Sequence, residues 1–378
     1  MRVKPNRRRR PAVTPLETAS LPQKRPWWYA IGSVLLLVPC YWQPRIEAGD
    51  LASHIYNCWL AEWIGKQHPA GLAVVPLSTN VLFDWLLTGW SRLAGPSAAQ
   101  HVAVSLAVLV FAWGAFAFIS VVSERRAWKS LPVVAMLAYG WVYHMGFFNF
   151  YLSLGLSLWA MALAWSFRAK PLAGAAGLLA LACLAHGLPA GWALGLLAFR
   201  WLTLRVWPRH PARVLAGVLA AIAALHFAAG YWWLSDWTVE QFILVSGADQ
   251  LGVFDNKYVV LFVALAAIWA VSLLNLVRVS GAGTVWRGMP FQLALISAAA
   301  VFLVPARVQF SAYRHSLGYV PQRLSLATAV CICAMLAAAP ARRWLRYSQG
   351  LLAAIFFVFL FHDESALNRI EERIQKVV

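Results

Sequence analysis

Apolar residues run along most of this chain in blocks of roughly twenty, the length an α-helix needs to cross the hydrocarbon core of a bilayer. Such blocks fall at 27–43, 98–123, 130–145, 149–167, 172–186, 188–204, 213–233, 258–277, 289–306, 324–340 and 347–362. They predict an all-α, polytopic transmembrane helical bundle of about eleven spans. The segment 77–95 has the length to span, but Asp84 and Arg92 interrupt it. No periodic repeat is evident, and no block of polar sequence is large enough for a soluble domain.

Charge decides how 77–95 is read. If it does not cross, the loops at 124–129, 168–170, 200–213, 278–288 and 342–346 share the side of the N-terminus. That side then holds 22 of the 32 Lys and Arg, and the opposite side holds 12 of the 14 acidic residues. If it does cross, the Arg125-Arg126 and Arg342-Arg343 loops land outside, against the preference for cytoplasmic basic loops. The segment is therefore expected to be a partly embedded or interfacial helix. The outer face then consists of a large segment at 44–97, long loops at 234–257 and 307–323, tight turns at 144–149 and 186–189, and the C-terminal tail.

Composition agrees. Apolar residues make up 61% of the chain and charged residues only 12%, whereas soluble domains carry about a quarter charged residues. A formal charge of +18 invites a nucleic-acid reading, but eight basic residues lie in the first 25 positions, including the run Arg7 to Arg10. Residues 1–25 read as a disordered basic cytoplasmic arm against an anionic membrane face, with no nucleic-acid partner. Residues 26–362 form a single transmembrane domain, and 363–378 a short C-terminal tail. The first apolar stretch carries no small-residue cleavage site, so it reads as a span rather than a secretory signal. Cys40, Cys58, Cys183, Cys331 and Cys333 lack metal-site spacing. No metal or other cofactor is indicated, although a divalent ion is compatible with the sequence.

Chemistry concentrates on the outer face. Directly after the first span, Asp50, Ser53, His54 and Asn57 fall at i, i+3, i+4 and i+7, one polar stripe of a helix. Leu51, Ile55, Trp59 and Trp63 form an adjacent apolar stripe, as a surface-lying helix requires. The bland alternative is an Asp serving as a helix N-cap beside a solvated imidazole. Three more clusters reach the same face: His186 in His186-Gly187-Leu188-Pro189; Arg314, His315 and Arg323 around Tyr319-Val320-Pro321-Gln322; and Asn149, best explained as a turn residue. Arg323 opens a span just after Pro321, where an anion would meet both guanidinium and helix N-terminus. An acid, imidazoles and guanidiniums at one membrane face suit attack by a hydroxyl on a phosphate-bearing donor. The carboxylate would take the proton while cations hold the departing phosphate. Nucleotide sugars are confined to the cytoplasm, so such a donor would be a polyprenyl-phosphate sugar.

A basic-flanked first span followed by an outer loop opening Gly49-Asp50-x-x-x-His54 on a surface helix resembles the GT-C superfamily of membrane glycosyltransferases. The resemblance implies Asp50 as catalytic base beside His54, a surface-helix pair at 50–65 and 77–95, and a polyprenyl-phosphate-linked sugar donor. It places phosphate contacts at His186, Arg314, His315, Arg323, Asn149 and Asn57, with a lipid, glycan or protein as acceptor. The Ala-, Arg- and Trp-rich composition points to a bacterial plasma (inner) membrane location, and the charge bias puts the expected active site on the extracytoplasmic face. Two features depart from the pattern: the loop 143–149 carries no second carboxylate, and no soluble C-terminal domain follows the last span. The competing classes are a polytopic transporter or lipid flippase and a non-catalytic membrane subunit. Transporters place ionisable groups near the bilayer midplane, and His226 is among the few such groups here.

Overall fold

The computed structural model describes residues 26–75, 77–232, 234–309, 316–338 and 342–376. The basic arm at 1–25, together with Arg314 and His315, lies outside the described residues.

Each apolar block folds as helix. In chain order these are α1 (Trp27–Leu37), α4 (Pro96–Val122), α5 (Leu131–Ala138), α7 (Phe148–Ala164), α8 (Ala169–Ala185), α9 (Gly187–Trp201), α10 (Pro211–Trp232), α12 (Asn256–Ser280), α14 (Met289–Leu303), α15 (Val320–Ala337) and α16 (Arg343–Gln375). Between α1 and α4 lie α2 (Leu51–Gln67) and α3 (Leu82–Ala94). The short helices α6 (Trp141–His144), α11 (Gln241–Leu244) and α13 (Ala282–Arg287) complete the set. Among the described residues five helices are long and apolar enough to cross a membrane: α4, α10, α12, α15 and α16.

Apolarity and exposure coincide in a way that only lipid tolerates. The most apolar window of α10 is 11% buried and that of α12 28%, against 67% for α4 and 72% for α15. A soluble protein would bury the first pair; here α4 and α15 form the interior and α10 and α12 face outward. The protein is thus an all-α, multi-pass membrane protein. Because lipid does not drive apolar helices together, tight contacts depend on small residues. At the α4–α7 crossing a Cβ on Gly114 would come within 2.6 Å of the Gly155 carbonyl oxygen, and one on Gly155 within 2.8 Å of Phe111 Cα.

The structure departs from the sequence pattern in three places. The block 130–145 is not one helix: it breaks at Tyr139–Gly140, between α5 and α6. Gly140 is packed there so closely that a Cβ would meet the Gln250 carbonyl oxygen at 2.7 Å. The long loops at 234–257 and 307–323 contribute a small antiparallel sheet, β1 (Leu234–Asp236), β2 (Arg307–Gln309) and β3 (Ser316–Gly318), in the order β1-β2-β3 with Ser235 opposite Val308 and Val308 opposite Leu317. Finally, α16 does not stop at 362; residues 363–375 continue it as helix.

The helices α2 and α3 pack against each other. At 13 residues, α3 is about 20 Å long by its 1.5 Å rise per residue, short of a hydrocarbon core of about 30 Å. It buries Phe83 and Leu87 and exposes Trp85, Trp90 and Leu93.

Candidate active site

Five stretches of chain meet around a cleft of about 560 Å³. It is lined by Asp50 and His54 from α2, Asn149 from α7, His186 from the α8–α9 turn and Arg323 from α15.

Asp50 is placed by backbone. Gly49 N–H donates to the His144 carbonyl (2.8 Å) and Asp50 N–H to the Met145 carbonyl (3.1 Å). This pins the start of α2 onto the tight turn that follows α6. Gly146 makes the approach possible: its φ is +76°, and a Cβ there would sit 2.4 Å from the Asp50 nitrogen. Asp50 occupies the N-cap position of α2, yet its side chain makes no capping bond. The carboxylate is exposed to the cleft with no hydrogen-bond or ion-pair partner among the described residues, so a capping role does not account for it.

His54, one turn further on, does not face bulk water. Its Nδ1–H donates to Asp84 Oδ1 at 2.7 Å, and its ring sits edge-on to Phe83. The other Asp84 oxygen accepts from Asn149 Nδ2 at 2.8 Å. Asn149 is buried and fully engaged: it also donates to the Asn80 carbonyl (3.1 Å) and accepts from Phe83 N–H (2.8 Å). Rather than closing a local turn, it fastens α3 to α7.

His186 caps α9. Its backbone is extended (φ −169°), its Nδ1 accepts from Leu188 N–H at 3.2 Å, and its carbonyl accepts from Ser153 of α7 at 2.7 Å. Burial, and then the charge of Arg323, push its imidazole down to about 4. It is therefore neutral near pH 7. Arg323 sits in the first turn of α15 with its guanidinium stacked on the Phe147 ring, 3.8 Å from the centroid. Its Nη1 lies 3.3 Å from His186 Nε2, and its Nε is buried without a partner.

That contact is frustrated. A neutral imidazole has a single acceptor nitrogen, yet an N–H donor points at each of the two ring nitrogens of His186, Leu188 at Nδ1 and Arg323 at Nε2. One donor therefore lacks an acceptor whichever tautomer forms. An anion in the cleft would relieve this, accepting from Arg323 and from the His186 Nε2–H, with the N-terminal turns of α9 and α15 alongside.

Asn57 falls outside the cleft. It is exposed, seven residues of helix carry it about 10 Å along the axis from Asp50, and it is not among the residues that line the cavity. The polar stripe was continuous on the helix, but the cavity beneath it is shorter. Conversely, Asp84 was visible in the sequence only as an interruption of an apolar stretch. The available signal was a carboxylate next to Phe83 on the face that α3 buries. Among the described residues no group of three His, Cys, Asp or Glu side chains could hold a metal ion. His226, the deep histidine, has its Nδ1 on the Leu303 carbonyl.

No known protein family, characterised protein or solved structure matches this chain.

Proposed function

We propose that this protein is a membrane glycosyltransferase of the GT-C type, moving a sugar from a polyprenyl-phosphate donor to an extracytoplasmic lipid, glycan or protein acceptor. The observation that carries the reading is the convergence of Asp50, His54, His186 and Arg323 on one cleft from parts of the chain up to 273 positions apart. In this reading Asp50 removes the acceptor hydroxyl proton as that oxygen attacks the anomeric carbon. Arg323 and neutral His186 hold the phosphate that departs with the prenyl chain. The chain crosses a bacterial inner membrane about eleven times, with its N-terminus in the cytoplasm and the cleft on the extracytoplasmic side. The hydrogen bond of His226 Nδ1 to the Leu303 carbonyl, on a helix that faces outward, favours this over passage through the bundle.

The test is transfer from undecaprenyl-phosphate-linked sugars in proteoliposomes. Replacing Asp50 by Asn removes a general base, so turnover should fall at least about 100-fold. Arg323→Ala should weaken donor binding in addition. Wild-type transfer by Asp50→Asn, at equal membrane insertion, would refute the assignment.

A further inference from the structure

Asp84 takes no part in the reaction just described, yet it is tied into the cleft on both of its oxygens. Asn149 cannot turn its amide round, because its oxygen is committed to Phe83 N–H and its nitrogen to the Asn80 carbonyl. Asp84 Oδ2 thus meets a fixed donor at 2.8 Å, while Oδ1 receives His54 at 2.7 Å. A carboxylate offers only acceptors, so the proton between Asp84 and His54 belongs to Nδ1. The nitrogen left over, Nε2, has no hydrogen-bond partner among the described residues, and His54 lines the cleft. Asp50 stands four residues earlier on the same helix, where side chains lie about 5–6 Å apart at Cβ. The charged and titratable groups around the His54 ring are therefore Asp50 and Cys58 on its own helix, Asp84 on α3 and, across the cleft, His186 and Arg323.

We propose that Asp84 is a positioning residue that holds His54 in the Nδ1–H tautomer, so that its Nε2 takes over the proton which Asp50 receives from the acceptor. The proposal rests on the glycosyltransferase reading above. As the acceptor oxygen bonds to the anomeric carbon, the bond from that carbon to the phosphate oxygen breaks, and its electron pair leaves with the prenyl phosphate. The hydroxyl proton passes to the Asp50 carboxylate and then to His54 Nε2. The imidazolium so formed is paired with Asp84 until it gives the proton to water, which returns both groups to their starting state.

The same hydrogen-bond logic supplies the test. In Asp84→Asn, the fixed Asn149 donor draws the new amide oxygen toward itself and leaves the amide N–H₂ facing His54. Nδ1 must then accept, and the proton moves to Nε2. Turnover should drop about 100-fold or more, with donor KM nearly unchanged. Adding Asn149→Asp presents an acceptor instead, turns the introduced amide at position 84 round and restores an oxygen to His54 Nδ1. The double variant Asp84→Asn/Asn149→Asp should recover at least tenfold of the loss, roughly a third to a half of it on a logarithmic scale. Wild-type turnover by Asp84→Asn, a loss seen only in KM, or a double variant no better than the single one would overturn the proposal. ¹⁵N-histidine NMR of the wild-type protein in nanodiscs, with His54 assigned from a His54→Gln sample, reads the tautomer without any substrate. Nδ1–H is expected, and Nε2–H would overturn the proposal. If the wild-type protein transfers no sugar at all, the glycosyltransferase reading fails, whereas the NMR result still decides how Asp84 and His54 are paired.

Discussion

On one side of the Gly49–Leu51 turn His144 meets Glu364; on the other His54 meets Asp84, with Asp50 beside it. Both groups border cavities of similar size, about 520 and 560 Å³, and both combine imidazole with carboxylates. They differ in how completely their polar atoms are satisfied. Glu364 accepts from His144 Nε2 at 3.1 Å and from Trp42 Nε1, and the second His144 nitrogen faces the Gly140 carbonyl at 3.2 Å. Asn368 bonds to Arg45 on both its backbone groups and to Glu47, and Glu371 pairs with Arg45 at 2.8 Å. This cluster rivets the end of α16 to residues 42–47, between α1 and α2. Across the turn, the Asp50 side chain has no hydrogen-bond or ion-pair partner among the described residues and only the charge of Arg323 acts on it, Arg323 Nε is buried without a partner, and two donors compete for His186. Completed networks hold structure together, and incomplete ones around a cavity leave room for a ligand.

The sharpest way to break this comparison is to delete a carboxylate from each side. The His144 and Glu364 side chains are only 4% and 5% exposed, so Glu364→Ala strands a buried imidazole and an indole N–H. It should cost about 3 kcal/mol or more in a reversible unfolding measurement. Asp50→Ala, with no partner to lose, should stay within about 0.5 kcal/mol. Equal losses would erase the distinction between the two clusters.

Next in size is Gly146→Ala, which forces an L side chain into positive φ and toward the Asp50 nitrogen. A loss of about 2 kcal/mol is expected, together with reduced transfer because Asp50 is pushed from its place. Melting temperature and turnover measured on the same preparation check both parts.

Arg323→Lys keeps the charge but removes the planar fork and the stacking on Phe147. Donor KM should rise about tenfold, equivalent to roughly 1.4 kcal/mol, with little change in melting. A larger effect on stability than on KM would place Arg323 with the structural cluster.

The smallest effect concerns Glu47, which burial, reinforced by Glu371 and Glu364 against Arg45, pushes up to about 7. Its carboxyl holds a proton more tightly folded than unfolded. Between the ordinary carboxylate range and about 7 the folded state thus binds the extra proton, and stability falls as pH rises through that window. Because Glu47 is partly exposed, the contribution should stay below about 1 kcal/mol after screening. Glu47→Gln should narrow the difference in melting temperature between about pH 5 and about pH 8, on either side of that window.

Much of the fold was legible because membrane helices advertise themselves through length and apolarity. Every apolar block has a helix at its position, and among the described residues five of these helices are long and apolar enough to cross a membrane. The break at Gly140 was not legible, since the apolar pattern runs through it; it is set by the close approach of Gln250. The helical continuation of α16 was hidden for the opposite reason. Its charged residues read as a solvated tail until Glu364, Asn368 and Glu371 are seen docked on residues 42–47. At the cleft, residue types and sidedness pointed to Asp50, His54, His186 and Arg323, but not to Asp84 and not away from Asn57.

The amino-acid sequence by itself determined which segments prefer lipid and which face gathers the polar groups, because hydropathy and charge act on each segment independently of its neighbours. Only the tertiary structure decided which carboxylate is bare and which is engaged. That depends on partners brought from α3, α7 and α16 across sequence separations of 30 to 326 residues, and a hydrogen bond counts only when both atoms arrive.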